Sequence, residues 1–258
     1  MRLKIVAIFS LVVLAVAGLA FALSRAAVTA MVAPDAAAAP RTLEAASAQL
    51  QVEGLSTERW LSGRAADPTV GEPFAAGTAN ARSEAATSVA DKINEAAASA
   101  PELFGVRASL VLLVDAQGVV LGRNGSKQLR GDNLAMAYPS LKTALEGGVA
   151  STDIWVNRER NEQLFASFAP VRAADGKIVG AVVFASSITD ERLTSASEKT
   201  SGNPIAIAVK TGNALELVAK SNGFSGELAS AVAQNQAAEA GIQALTAAKA
   251  IDLPGLPA

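Results

Sequence analysis

Apolar and polar positions along the chain change rhythm twice. From Ile5 to Leu23 the side chains are apolar with Ser10 the one polar exception, which is about the 20 residues that cross a hydrocarbon layer. An Ala-rich stretch of mixed charge follows as far as Ala100, and its spacing predicts helices. After Pro101 the chain breaks into short apolar runs bounded by Asp, Gly and Pro, the rhythm of strands and hairpins.

Within the Ala-rich part, a helix is expected near Thr42 to Arg64, with Leu43, Leu50, Val52, Leu55 and Leu61 as its apolar stripe. The stretch "AADPTVGEPF" holds Pro68, Gly71 and Pro73 and is expected to interrupt it. A second helix then runs from about Phe74 to Ala98, with Val89 and Ile93 on its buried side. The pair reads equally as a membrane-proximal stalk over residues 35–100 or as two helices that pack on the remainder of the fold.

The run "LVLLVDAQGVVLGRNG" predicts a strand from Leu110 to Val114, apolar on both faces, a turn, and a return strand from Val119. Asp115 ends the first strand three positions before Gly118, where a carboxylate ordinarily caps the turn through its side-chain oxygen. A second hairpin spans Phe165 to Ile188, turning at Asp175-Gly176; Phe165, Ser167, Ala169 and Val171 share one face, and Ala166, Phe168, Pro170 and Arg172 the other. Pro170 lacks an N–H and marks an edge or a bulge. Between the hairpins, Pro139 suits a first helical turn, Gly147-Gly148 ends that helix, and a short strand is expected at Asp153 to Asn157. The order strand, strand, helix, three strands predicts an α+β antiparallel sheet with helices against it.

The segments "LVLLVDAQGVVLGRNG", "AYPSLKTALEGGVASTDIW" and "FASFAPVRAADGKIVGAVVFASSI" resemble the successive elements of a Cache domain, the extracytoplasmic relative of the PAS fold. The resemblance covers roughly Pro101 to Leu193 and is most distinctive in "APVRAADGKIVGAVVFAS", Ala169 to Ser186. It implies a sensor outside the inner membrane of a bacterium, not an enzyme, that binds a small ligand between the sheet and its covering helix and loops. "NPIAIAVKTGNALELVAKSN", Asn203 to Asn222, reads as one more hairpin and resembles the start of a second module, as in double Cache sensors, followed by a helix from Glu227 to Lys249. The expected organisation is a membrane anchor over 1–25, the helical stalk over 35–100, a Cache/PAS-like domain over 101–195 and a partial second module over 196–258. With no second apolar span and no output domain in the sequence, the signal is expected to leave through a partner protein, or the chain is a truncated sensor.

Composition then removes whole classes of chemistry. The chain has no Cys and no His, which excludes thiolate nucleophiles, disulfides, imidazole bases and His-ligated metals. A net charge of −2 and few aromatics leave nothing to neutralise phosphates or stack bases, so nucleic acid is not an expected partner. Arg2 and Lys4 before the apolar segment hold the N-terminus in the cytoplasm and place the bulk of the chain outside. The length of the apolar run favours an uncleaved anchor; Ala20-Phe21-Ala22 has the form of a signal-peptidase site and keeps a cleaved, exported product as the alternative.

For the ligand site, Tyr138, Trp155 and Phe165 supply aromatic surface, and Asn157, Arg158, Ser167 and Arg172 could orient polar groups. The rival reading is that Trp155 and Phe165, as large aromatics, are more often core than contacts, and that Arg172 is a solvated charge at an edge. The resemblance, together with these Arg residues, implies a small carboxylate or an amino acid, with no cofactor and no metal. Ser126, Tyr138 and Lys142 have the residue types of a short-chain dehydrogenase, but no glycine-rich turn after a first parallel strand precedes them. Two readings of different classes remain: a ligand-binding sensor, and a ligandless envelope scaffold with the same fold. Dimerisation through the Ala-rich helices suits both.

Overall fold

The computed structural model describes residues 44–126, 129–157, 162–200, 204–211 and 214–224. A first helix, α1, runs through residues 44–65, followed by α2 (Pro68–Ala75), α3 (Ala79–Ala98) and a 3-10 turn at Pro101–Leu103. The strands β1 (Leu110–Asp115) and β2 (Val120–Arg123), the helices α4 (Leu134–Ala137) and α5 (Pro139–Gly147), and the strands β3 (Ser151–Asn157), β4 (Glu162–Arg172) and β5 (Ile178–Ser187) come next. Then α6 (Asp190–Thr200) leads to a hairpin of β6 (Ala206–Thr211) and β7 (Ala214–Lys220).

The five strands β1 to β5 form one antiparallel sheet in the order β2-β1-β5-β4-β3, the α+β arrangement expected from the pattern. Both faces are covered, which is why β1, β4 and β5 read as continuous apolar runs. On one face Val111, Leu113, Val182 and Phe184 pack against Trp60 and Leu61 of α1 and against Ala86, Val89 and Ile93 of α3. On the other face Leu112, Val114, Phe168 and Val183 pack against Leu141 and Leu145 of α5. Val89 and Ile93 are buried as their spacing predicts.

The stripe expected on α1 is corrected in part: Leu61 is buried as expected and Leu50 is half-buried, while Leu43 lies outside the described residues. Val52 and Leu55 are 54% and 65% exposed, whereas Ala46, Gly54, Thr57, Trp60, Leu61 and Ala65 face inward. Small residues make the contact because the helix backbone comes close to the sheet: a Cβ on Gly54 would lie 3.4 Å from the Thr152 hydroxyl and 3.5 Å from the Phe165 ring. The expected break at Pro68 to Pro73 is likewise a helix. Asp67 caps it, its side chain accepting from the Thr69 N–H at 2.9 Å. Pro68 stands in the first turn, where its missing N–H is no loss. Pro73 forfeits one helical bond, but with Val70 it forms the buried face of this short helix. Phe74 therefore belongs to α2, and the next helix starts at Ala79, capped by Thr78.

The turns follow local side-chain chemistry. Asp115 accepts from the N–H groups of Gln117 and Val119, each at 2.9 Å, with Gly118 at φ 79°. Asp175 accepts from the Lys177 N–H at 3.0 Å beside Gly176 at φ 83°. Both are turn formers. Pro139 starts α5, and Gly148 at φ 66° ends it. Pro170 lies inside the interior strand β4, yet β3 pairs only as far as Phe168, so β4 has an open side at the proline, next to an irregularity at Val171/Arg172.

The hairpin β6–β7 sits on α6, where Asp190 accepts from the Lys220 N–H at 2.8 Å and Thr194 from the Asn222 N–H at 3.0 Å. Leu193 and Ala219 are buried together with Phe165 and Ile188, so the hairpin is tied to the main sheet through α6. Among the described residues no helix is long and apolar enough to cross a membrane. The apolar segment Ile5 to Leu23 and the helix expected from Glu227 to Lys249 lie outside the described residues.

Candidate functional site

Three aromatic rings are layered on the α5 face of the sheet. Pro139 opens α5 and restricts the residue before it to extended backbone, which sets Tyr138 at φ −128° and ψ 93° at the α4–α5 junction. Its ring lies 4.2 Å from that of Trp155 at an interplanar angle of 5°. Trp155, opposite Leu164 in the β3–β4 ladder, lies in turn 5.8 Å from Phe168 at 20°. The three form a stack from half-buried Tyr138 to fully buried Phe168.

The stack has a polar defect. Trp155 is 2% exposed, and its Nε1–H has no hydrogen-bond partner among the described residues. The hydroxyl of Ser140, two residues after Tyr138, is also buried without a partner among the described residues. A buried donor left unpaired costs about 1–3 kcal/mol. An acceptor brought in from outside would remove that cost, and Tyr138 is the outermost ring over the position. In the same packed cluster Leu112, Val114, Leu141 and Phe168 are fully buried.

Period two along β4 divides the residues expected to share one site. Phe165 and Ser167 lie on the opposite face of the sheet from Trp155, Leu164 and Phe168, toward α1. There the Ser167 hydroxyl pairs with that of Thr152 at 2.8 Å, and the Arg192 guanidinium lies 5.4 Å from the Phe165 ring centroid. Arg192 donates to Glu53 at 2.7 Å and to the Ser186 hydroxyl at 2.8 Å. Its side chain and that of Glu53 are only 21% and 15% exposed. Neither residue stands out in the sequence, because Glu53 sits in an Ala-rich helix among other charges and its partner is 139 positions away.

The remaining candidates divide further. Arg172 is exposed and donates to the carbonyls of Gly176 and Gly148 at 3.0 and 3.1 Å, tying the β4–β5 turn to the end of α5. That use holds backbone together. Asn157 is half-buried at the end of β3, paired in register with Glu162. Arg158 lies outside the described residues. The structure thus brings together Tyr138 and Trp155, and separately Phe165 and Ser167. Of the dehydrogenase-like set, the exposed Lys142 pairs with Glu146 at 3.8 Å, and the antiparallel sheet lacks the parallel strand-turn-helix unit that a dinucleotide needs.

A protein-family comparison matches residues 43–252 to the family described as the double sensory domain of two-component sensor kinase. Among curated proteins, none matches the sequence. Among solved structures, the chain is similar to the V. cholerae histidine kinase DctB sensor domain, with 16% identity, 72% of this chain and 66% of that one covered, and a TM-score of 0.49. It is also similar to the E. coli DcuS sensor domain, with 17% identity, 59% and 98% covered and a TM-score of 0.39. The ligand-binding domain of the Pseudomonas aeruginosa amino acid chemoreceptor PctC, in complex with GABA, matches at 15% identity, 66% and 69% covered, with a TM-score of 0.39.

Proposed function

Because the chain belongs to the family of double sensory domains of two-component sensor kinases, we propose that it is the extracytoplasmic sensory part of a signalling system, binding a small carboxylate or amino acid at the Tyr138–Trp155 stack. In this reading the apolar segment Ile5 to Leu23 anchors it in the inner membrane, residues 101–195 form the ligand-binding module, and residues from 196 onward begin the second. The signal passes to a partner protein or through a homodimer.

The observation that carries the reading is the Nε1–H of Trp155, unpaired among the described residues, beneath a half-buried ring. A ligand carboxylate or carbonyl that displaces Tyr138 would accept from it, and the gain is larger than on the surface because the donor is already out of water. The chemistry required is binding alone; a shift in the α4–α5 segment, which carries Tyr138 at its joint, changes the surface offered to a partner.

The burial of Leu112, Val114, Leu141 and Phe168 in the same cluster as Trp155 favours the second reading, a ligandless scaffold. Thermal unfolding of the full chain in detergent, screened against the amino acids and short organic acids, separates the two. The sensor reading expects at least one compound to raise Tm in proportion to the logarithm of its concentration, with the rise abolished in Trp155→Phe. No rise with any compound supports the scaffold.

A further inference from the structure

A second cleft lies on the opposite face of the sheet, where α1, the loop after the 3-10 turn, the end of β5 and α6 meet. It encloses about 270 Å³ and is lined by the cations Arg107, Arg192 and Lys199 against one carboxylate, Glu53. Arg192 is committed to Glu53 and Ser186. Arg107 and Lys199 are exposed and have no carboxylate partner among the described residues. The cleft therefore carries an excess of positive charge in a chain whose net charge is −2.

Its other wall is apolar. Leu50, Leu193 and Ile205 line it, and Phe104 stands at it 63% exposed. Phe104 also has φ 51° and ψ 30°, a left-handed backbone that costs a bulky residue energy. A phenyl ring held in water on a strained backbone, beside two unpaired cations, is arranged for an occupant with both an apolar part and a negative charge.

We propose that this cleft is a second binding site, separate from the Tyr138–Trp155 face, for a small organic anion: a monocarboxylate with an apolar tail. The carboxylate lies between Arg107 and Lys199, and the tail lies against Phe104 and Leu50. Charge complementarity selects this class, because a dication would meet three like charges and a neutral apolar molecule would leave both free cations unused. A carboxylate held there also draws the loop carrying Arg107 toward Lys199 of α6. The site thus couples α1, the sheet and the helix that carries the β6–β7 hairpin, and occupancy changes how the second module is held.

The test is calorimetric titration of the full chain in detergent with 3-phenylpropionate and with its neutral amide, in the parent and in the Arg107→Gln/Lys199→Gln and Trp155→Phe variants. Both glutamines replace exposed side chains, so folding is retained and is checked by the unfolding midpoint. The expected result is saturable binding of the acid, weaker binding of the amide by at least about tenfold, and the same loss for the acid in the double variant, since each charged contact is worth about a factor of ten or more. Binding persists in Trp155→Phe. Equal affinity for acid and amide, unchanged affinity in the double variant, or no binding overturns the proposal. Loss in Trp155→Phe alone moves the probe to the aromatic face; that outcome also overturns this site while supporting the first.

Discussion

Glu53 on α1 and Arg192 on α6 are joined at 2.7 Å across the end of the sheet. The guanidinium bonds the Ser186 hydroxyl as well and lies over the Phe165 ring. The space behind it, bounded by Thr57, Ser167 and Phe184, is too small for a water molecule. The pair is therefore sealed on its inner side, and its two charges depend on each other.

Removing one partner leaves the other charge without compensation in a site that is mostly out of water. Glu53→Gln and Arg192→Met are each expected to destabilise the protein by about 3 kcal/mol, the low end for interior pairs because both side chains retain some exposure. The double variant should lose clearly less than the sum of the two. Urea unfolding of the four proteins checks this as a double-mutant cycle, and additive losses would show that the two charges act independently.

Two glycines should respond in opposite directions to the same substitution. A Cβ on Gly122 of β2 would lie 2.7 Å from the Thr87 backbone nitrogen and 2.8 Å from the Ser83 carbonyl oxygen of α3, backbone atoms that cannot move aside alone. Gly122→Ala is expected to cost about 1–3 kcal/mol. Gly63, inside α1, has nothing within 4 Å of its would-be Cβ, and Gly63→Ala should stabilise by about 0.5–1 kcal/mol through helix propensity. Unfolding midpoints that move the same way would contradict the close approach of α3 to β2.

What could be read from the sequence was chemistry that acts over a few residues. Asp115, Asp175, Pro139 and Gly148 each perform their local task where the pattern places it. The alternation along β4 was equally plain, and applied to Trp155 through the Trp155–Leu164 pairing it separates Trp155 from Phe165 and Ser167. That step needs the register of β3, which depends on contacts between strands and not on either strand alone. The inward face of α1 was hidden because Gly54 and Ala46 have small side chains, while the conspicuous Val52 and Leu55 point outward. Arg192 could not be matched with Glu53 because nothing local connects positions brought together by the whole fold.

The cap of α2 carries a pH dependence whose sign follows from geometry. Asp67 accepts from the Thr69 N–H and hydroxyl, and the backbone hydrogen bond is the chief reason that its carboxyl is held below the ordinary value of 3.8. A carboxylate with a lowered folded-state pKa contributes stability above its unfolded value and loses it as pH falls through the folded one. The unfolding midpoint of Asp67→Ala should therefore lie below the parent's at pH 7. The gap should narrow as pH drops below about 4. A gap that stays constant down to pH 2 would show that the charge on Asp67 plays no part in the cap.

Tyr138 is expected to act as a cover for Trp155. Its ring is parallel to the indole at 4.2 Å and only half-buried, so Tyr138→Ala removes an aromatic pair, worth about 0.5–1.5 kcal/mol beyond the buried area. The same truncation lets water reach Trp155 Nε1, which has no partner among the described residues, and that offsets part of the loss. The total should thus stay near about 1–2 kcal/mol, well short of the roughly 3–5 kcal/mol expected for Phe168→Ala at the closed end of the stack. With Trp60→Phe as background, Trp155 is the one remaining tryptophan of the two in the chain, and its quenching by acrylamide reports access directly. Tyr138→Ala should raise that quenching several-fold and shift the emission to the red. Unchanged quenching would mean that the tyrosine does not guard the indole, and a ligand would then have to reach Trp155 by another route.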